Sequence, residues 1–351
     1  MIAPSDISPP GVELSRLAEW LDQHRPGLRQ GRLTATLIAG GKSNLTYRLT
    51  DDHSQWALRR PPLGHLLPTA HDMAREYRVI AALGPSEVPV AEAVALCTDP
   101  AILGEPFYLM SFVEGVVLES PATVTDRASA TRASELLVDT LLALHRVDPA
   151  AVGLADFGRP DGFCERQVRR WHAQFLASLP GLESEAGAVD LAATELAVVQ
   201  ALGQRLPAGG PIGIVHGDYR LTNVMFTSDL QHIAAVVDWE MATLGDPLTD
   251  VGLLFVYHEL AGATGAVMPA FPADRGFLNP NELVERYAAG SGQELPALDW
   301  YIAFGYFKLG VIAAGIHARY RQGKTVGAGF EQFGAVIDLA LRGAQDRLGG
   351  M

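Results

Sequence analysis

The chain has 351 residues, of which 48% are apolar and 19% charged, and its net charge is −13. A chain of this length ordinarily splits into two cores, and no polar tract is long enough to stay unfolded. The negative charge excludes broad nucleic-acid or anionic-membrane binding, which needs a basic surface.

The opening MIAPSDISPPG has no basic segment followed by an apolar core, so it does not read as a signal peptide. The apolar runs, such as Leu136 to Leu144, fall short of the roughly 20 residues that span a bilayer, so no membrane span is expected. ELSRLAEWLDQ places Leu14, Leu17 and Leu21 at helical spacing. From Arg32 the period shortens: LTATLIA, NLTYRLT and QWALRR read as three antiparallel strands joined by AGGKSN and DDHS. HDMAREYRVIAAL is a helix, and VAEAVALC and PFYLMSFV are two more strands. Cys97 and Cys164 are the only cysteines, too few for a disulfide framework, which fits a reducing compartment with the cytoplasm as default.

Beyond Gly115 the pattern turns helical in SELLVDTLLALHRV, FCERQVRRWHAQFLASL and DLAATELAVVQALGQRL. GIVHGD, NVMFT and HIAAVVDWE are short strands around a loop. DPLTDVGLLFVYHEL starts a helix with Asp246 as cap and Pro247 at its first position. The expected fold is α+β and bilobal: residues 1–113 form a leading helix and a small antiparallel-sheet lobe, and 114–351 a larger, mainly helical lobe. The acid surplus lies in the second part, where residues 114 to 351 hold seventeen basic and twenty-eight acidic side chains.

GGKS at Gly40 to Ser43 resembles the end of a Walker phosphate loop, but Thr36 stands where that motif needs glycine, and a strand follows in place of a helix. What remains is either an ordinary tight turn or a hairpin, Gly40, Gly41, Ser43 and Asn44, whose backbone lies over nucleotide phosphates. His216-Gly217-Asp218 lacks the second His or Cys of a zinc site, and no G-x-S-x-G elbow occurs. The spacing H-x-D-x-x-x-x-N over His216, Asp218 and Asn223, then Asp238 at the end of an apolar strand, fits another chemistry. One Asp handles the proton of an attacking hydroxyl, while an Asn and a second Asp hold Mg²⁺ on ATP. Magnesium prefers hard oxygen ligands and keeps several waters, so two protein ligands suffice.

In GGKSNLTYRL, FYLMSFVEG, VHGDYRLTNVMF and VVDWEMATLGDPLTD the chain resembles the aminoglycoside phosphotransferase and choline kinase group, which shares the protein-kinase-like fold. It is most similar to bacterial phosphotransferases related to kinase domains fused to acyl-CoA dehydrogenases. The resemblance covers about residues 30 to 340. It implies that Asp218 is catalytic, that Asn223 and Asp238 are the Mg²⁺ ligands, and that Arg220 faces the γ-phosphate. His216, Asp246 and Asp250 would be structural. Where such kinases carry a strand-three Lys, this chain has Arg59, with Glu76 as its natural helix partner, while Arg60 could be the one facing solvent, since strand neighbours alternate. Glu76 also reads as a solvated helix charge. Met110, Ser111 and Val113 lie where the two lobes join, so that adenine could pair with the main chain of Ser111 and Val113.

The implied cofactors are ATP and Mg²⁺, with nucleotide between the lobes and the partner a small-molecule hydroxyl acceptor. The acidic second lobe suits cationic aminoglycosides. Lys308 and Arg319, eleven residues apart in FKLGVIAAGIHARY, share a helix face that reads as a solvated helix end or as a site for an anionic acceptor such as a hydroxyacyl-CoA. Loss of the strand-three Lys also permits a nucleotide-binding pseudokinase. The acceptor, a preference for ATP over GTP and the oligomeric state are not written in the sequence.

Overall fold

Alternation of apolar and polar residues between Thr34 and Arg60 folds into three consecutive antiparallel strands, β1 (Thr34–Leu37), β2 (Leu45–Thr50) and β3 (Gln55–Arg60). In this computed structural model the described residues are 8–38, 44–63, 72–182, 188–264, 268–295, 297–324 and 329–351. Gly40, Gly41 and Ser43, expected over the nucleotide phosphates, lie outside them. The chain forms two units: Met1–Gly115 with Ala234–Glu240, and Val116–Ile233 with Met241–Met351. The sequence-based division at residue 113 therefore misses one excursion. Ala234–Glu240 joins the first unit because its strand docks there, the Val236 N–H donating to Pro89 C=O at 2.8 Å.

In the first unit β4 (Ala93–Cys97) and β5 (Phe107–Ser111) complete a five-stranded sheet in the order β1-β2-β3-β5-β4. Its core gathers Leu17 and Leu21 of α1 (Leu14–His24) with Tyr47, Leu49, Leu58, Phe107 and Leu109. The helix α2 (Met73–Leu83) is capped by Asp72, which accepts from Arg75 N–H at 3.0 Å. Its buried face runs Met73, Glu76, Val79, Ile80, Leu83, an i, i+3, i+4 stripe that carries Glu76 inward with the apolar residues. Glu76 is therefore not a solvated helix charge. A single turn, α3 (Pro100–Leu103), precedes β5.

The second unit begins with the two-residue strand β6 (Val116–Val117) and the long helix α4 (Arg127–Arg146). It continues with α5 (Phe163–Ser178) and α6 (Ala188–Gln204). Three short strands follow, β7 (Gly213–Val215), β8 (Val224–Phe226) and β9 (Ile233–Val236), the last running on into the first unit. β10 (Thr243–Gly245) pairs antiparallel with β7. Then come α7 (Leu248–Thr264), α8 (Pro280–Ser291), α9 (Leu298–Arg321) and α10 (Phe333–Gly349). β10, α8 and α10 escaped the sequence reading, although Asn279-Pro280 with Glu282 writes out a capping box that opens α8. Asp246 accepts the Leu248 N–H at 3.1 Å at the start of α7, one residue later than the expected first turn.

The core of this unit is built around α9, which buries Trp300, Tyr301, Phe304, Phe307 and Val311 among α5, α7 and α10 residues. With 24 residues, α9 is long and apolar enough to cross a membrane, a run the sequence reading overlooked; 83% of its most apolar window is buried by the rest of the chain. The α7 and α9 backbones touch at Gly252 and Gly305, where a Cβ on Gly252 would overlap the Tyr301 carbonyl.

Candidate active site

In the first unit, the side chains that carry chemistry meet around Glu76. The β3–β5 register sets Arg59 opposite Tyr108, so both reach the same face, under which α2 presents Glu76. Arg59 Nε donates to Glu76 Oε2 at 2.7 Å, and its Nη2 donates to Asp238 Oδ1 at 2.7 Å. The Tyr108 hydroxyl adds a bond to Glu76 Oε2 at 3.0 Å. Asn44 Nδ2 reaches Glu76 Oε1 at 2.9 Å and Glu240 Oε2 at 3.2 Å. Asp238 holds φ at 67°, a left-handed conformation that costs a non-glycine residue about 1 kcal/mol or more and directs the chain sharply out of β9. Trp239 steadies that turn, its indole N–H donating to Val236 C=O at 3.0 Å.

Burial opposes charge on both members of the central pair. Arg59 stays above its ordinary pKa because Glu76, Tyr108 and Asp238 together outweigh desolvation. Glu76 is raised: desolvation pushes its pKa up, Arg59 and Tyr108 only partly offset that, and the like charge of Asp238 adds to it. Arg60 faces the other way and is not exposed, as strand alternation had suggested it could be. It is buried, with its guanidinium donating to the carbonyls of Gly11 and Leu103.

At the join suggested for adenine, Met110 and Ser111 end β5 and are half-buried, as is Val113 beyond it. The Ser111 N–H is already donated to Glu92 C=O at 2.8 Å, and its hydroxyl accepts from Glu92 N–H at 2.9 Å. That N–H is therefore already bonded within the first unit, and of the two residues Val113 is the one that lies past the strand.

In the second unit, the loop after β7 is fixed by a buried carboxylate. Asp250 of α7 accepts the N–H of His216 at 2.7 Å and of Gly217 at 2.8 Å, and His145 Nε2 lies 3.4 Å away. Burial alone would raise the Asp250 pKa; the His145 bond and charge, with His216 and the Gly217 N–H, hold it below its ordinary value instead. Gly217 has φ 84°, and a Cβ there would stand 2.8 Å from the Met241 carbonyl, so both backbone and space require glycine. His216 Nδ1 accepts the Asp218 N–H at 3.2 Å, a supporting position.

These bonds present Asp218. Its Oδ2 accepts from Asn223 Nδ2 at 2.8 Å and lies 3.6 Å from Arg220 Nε. The same Asn223 nitrogen also donates to the Asp218 carbonyl at 2.8 Å. Both bonds use the amide nitrogen, so Oδ1 is the atom of Asn223 that could ligate a cation. The Tyr257 hydroxyl donates to Asp218 Oδ1, and the Arg220 guanidinium lies 5.0 Å over the Tyr257 ring.

Lys308 overturns an expectation. It is only 7% exposed, with its ammonium donating to the Gly217 carbonyl and standing 5.3 Å over the Trp171 ring. Arg319 is exposed. The two share a helical bearing, but α9 passes through the core, so position 308 is enclosed and 319 is not. Desolvation lowers the Lys308 pKa against the attraction of Asp218 and Asp250. Tyr108, Tyr257 and Lys308 were not found as neighbours of the predicted carboxylates from sequence; the alternation of β3 and β5 could have offered Tyr108, but nothing local points to the other two.

Each unit by itself offers an oxygen donor of the kind a hard cation takes. Asp238 keeps Oδ2 beside its Arg59 bond, and Asn223 keeps Oδ1. Among the described residues no three His, Cys, Asp or Glu side chains form a metal-binding group. Among the described residues, the buried Asn44 Oδ1 has no hydrogen-bond partner.

The profile of the phosphotransferase enzyme family matches residues 34–301. The chain belongs to this family. A crystal structure of a Ralstonia eutropha JMP134 protein assigned as an aminoglycoside phosphotransferase is similar at TM-score 0.82 and 28% identity, covering 96% of this chain and 98% of that one. The phosphotransferase fold is also that of a choline kinase from Cryptosporidium parvum, at TM-score 0.62 and 11% identity over 96% of each chain. In sequence, a probable acyl-CoA dehydrogenase of Arabidopsis thaliana is 32% identical over 81% of this chain and 36% of its own length. Acyl-CoA dehydrogenase family member 11 of Gallus gallus is 30% identical over 94% and 43%. The chain thus spans well under half the length of these curated relatives. As a phosphotransferase it has the kinase-like α+β fold, with a small antiparallel sheet in one unit and helices dominating the other.

Proposed function

We propose that this phosphotransferase moves the γ-phosphoryl group of ATP to a hydroxyl of a small molecule. The observation that carries this reading is the presentation of Asp218: a carboxylate at a loop braced by Asp250 and Lys308, hydrogen-bonded by Asn223, with Arg220 beside it. A carboxylate so held can orient the acceptor hydroxyl and accept its proton as the new bond to phosphorus forms. Arg59 and Arg220 would bind phosphate oxygens and hold negative charge near them. Asp238 and Asn223 would hold magnesium, which when bound supplies charge neutralisation on the phosphates. A similar fold at TM-score 0.61 and 13% identity, an aminoglycoside phosphotransferase, was crystallised with AMP-PNP and hygromycin B, which supports ATP and a small-molecule acceptor as the pair of substrates.

A second acceptor class, a hydroxyacyl-CoA, is favoured by the acyl-CoA dehydrogenase names of the curated relatives. The pseudokinase reading is weakened by Arg59, which makes the carboxylate contacts a strand-three Lys would be asked to make. Coupled ADP release with an acceptor panel of aminoglycosides and hydroxyacyl-CoAs tests the proposal. The wild-type chain should turn over at least one acceptor. Asp218→Asn should lose about 10³-fold in kcat while binding ATP normally. Acceptor-independent behaviour, or full activity in Asp218→Asn, would remove the assignment.

A further inference from the structure

The chain is acidic overall, yet four arginines of the second unit converge on one pocket of about 360 Å³, Arg159 from the loop before α5 and Arg166, Arg169 and Arg170 from α5 itself. Phe163 lines it as well, and Thr243 of β10 closes another side. Among the described residues, Arg169 alone of the four pairs with a carboxylate, Glu165 at 3.3 Å. Arg166 donates to the Arg159 carbonyl, which ties the loop arginine to the helical ones, and Arg170 lies 5.8 Å over the Trp171 ring. So many like charges repel one another, and such a cluster is most stable with a multiply charged anion among them.

Two observations relate this pocket to the site already described. Trp171 carries Arg170 at one position and Lys308 at another, and Lys308 in turn holds the Gly217 carbonyl next to Asp218. Arg170 also acts electrostatically on Lys308, as Asp218 does. In addition the Trp171 indole N–H, in a side chain 4% exposed, is buried with no hydrogen-bond partner among the described residues. It is a donor left over on the helix that carries the arginines.

We propose that this pocket binds a phosphate group of the acceptor, so that the hydroxyl compound phosphorylated by this chain is itself a phosphate ester and not a polycation. The inference rests on the kinase reading above and names the acceptor class for it. Planar guanidinium forks match phosphate oxygens in pairs, and the volume accommodates a diphosphate-sized group. The acidic total is then a property of the remaining surface, and the acceptor is selected by this local reversal of sign.

The test uses the full chain and Arg166→Gln/Arg170→Gln. Inorganic pyrophosphate is titrated calorimetrically in EDTA, so that magnesium-dependent binding at the nucleotide site does not contribute. Wild type should bind it, and the double variant should bind about tenfold more weakly and with a shallower salt dependence. In coupled ADP release, pyrophosphate should compete with a hydroxyacyl-CoA acceptor, and the variant should raise that acceptor's KM about tenfold with kcat and the KM for ATP unchanged. Equal pyrophosphate titrations for the two proteins overturn the pocket. Turnover of kanamycin with a KM that the double variant leaves unchanged overturns the acceptor class while the kinase reading stands. Arginine-dependent pyrophosphate binding without any ATP turnover overturns the kinase reading, and the acceptor role with it, but keeps the anion pocket.

Discussion

Two buried carboxylates of this protein respond to burial in opposite ways. Glu76 in the first unit and Asp250 in the second are 2% and 1% exposed. The pKa of Glu76 is raised and that of Asp250 lowered. Asp250 has two backbone N–H donors and His145 to itself, fixed partners that favour its charged form. Glu76 must share one guanidinium with Asp238, whose like charge works against it. The first arrangement is a brace. The second, among the described residues, sets two carboxylates on one guanidinium. Buried ionic groups thus divide by how their partners are allocated and not by depth.

The largest effect should come from breaking the brace. Asp250→Ala strands two backbone donors and removes the His145 partner, and should cost about 3–5 kcal/mol of unfolding free energy by urea denaturation. Its pH dependence follows from the lowered pKa. The Asp250 contribution is fully present above the ordinary value of 3.8 and is lost as pH falls through the lower folded value, so wild type and variant should converge in stability on acidification. Glu76 has the opposite sign: being raised, its contribution is present below the ordinary value of 4.5 and is lost as pH rises through the folded value. Glu76→Gln should therefore gain relative to wild type toward neutral pH.

Arg59→Ala comes next. It leaves Glu76 buried without its cation, which should lower stability by about 3 kcal/mol, and it should raise the KM for ATP more than it lowers kcat. Arg59→Lys should retain much of the activity, because one ammonium still faces both carboxylates. Normal ATP use by Arg59→Ala would separate the Glu76 cluster from nucleotide binding and restore the simpler view of it as a second structural brace.

Lys308→Met should lower kcat about tenfold with ATP affinity unchanged, because the Gly217 carbonyl loses its buried donor and Asp218 loses a fixed loop. Wild-type kcat should also fall on the alkaline side as Lys308 deprotonates below its ordinary 10.5, and the variant should lack that limb. Tyr257→Phe should have the smallest effect. It removes one donor from Asp218, worth about 1 kcal/mol, so kcat should change about fivefold in either direction.

Much of the architecture was legible in the chain. Helical spacing gave α1, α2 and α4 through α7, and alternation gave β1 through β5, because these signals are local. α10 and the first nine residues of α9 were not read. α9 is buried on nearly every side, so no polar stripe marks where it begins. The candidate residues were legible unevenly. The spacing of His216, Asp218, Asn223 and Asp238 is a sequence fact, and Arg59 with Glu76 follows once the strand and helix are placed. That Arg60 turns to the Gly11 and Leu103 carbonyls is decided by what packs on each face of β3.

By itself the sequence determined which residues could do acid, base and ligand chemistry and on which elements they stand, since a motif and a period each span a few residues. Only the tertiary structure decided their surroundings. Lys308 meets a carbonyl 91 residues away, and Arg59 meets a carboxylate 179 residues away. Whether a basic side chain ends in water, on a carbonyl or on a shared carboxylate depends on chain segments that no local pattern connects, and the sign and size of its interaction change with that choice. The arginines of α5 stand at the same positions in sequence and in space, but their convergence with Arg159 and Thr243 on one pocket exists only after the second unit has folded.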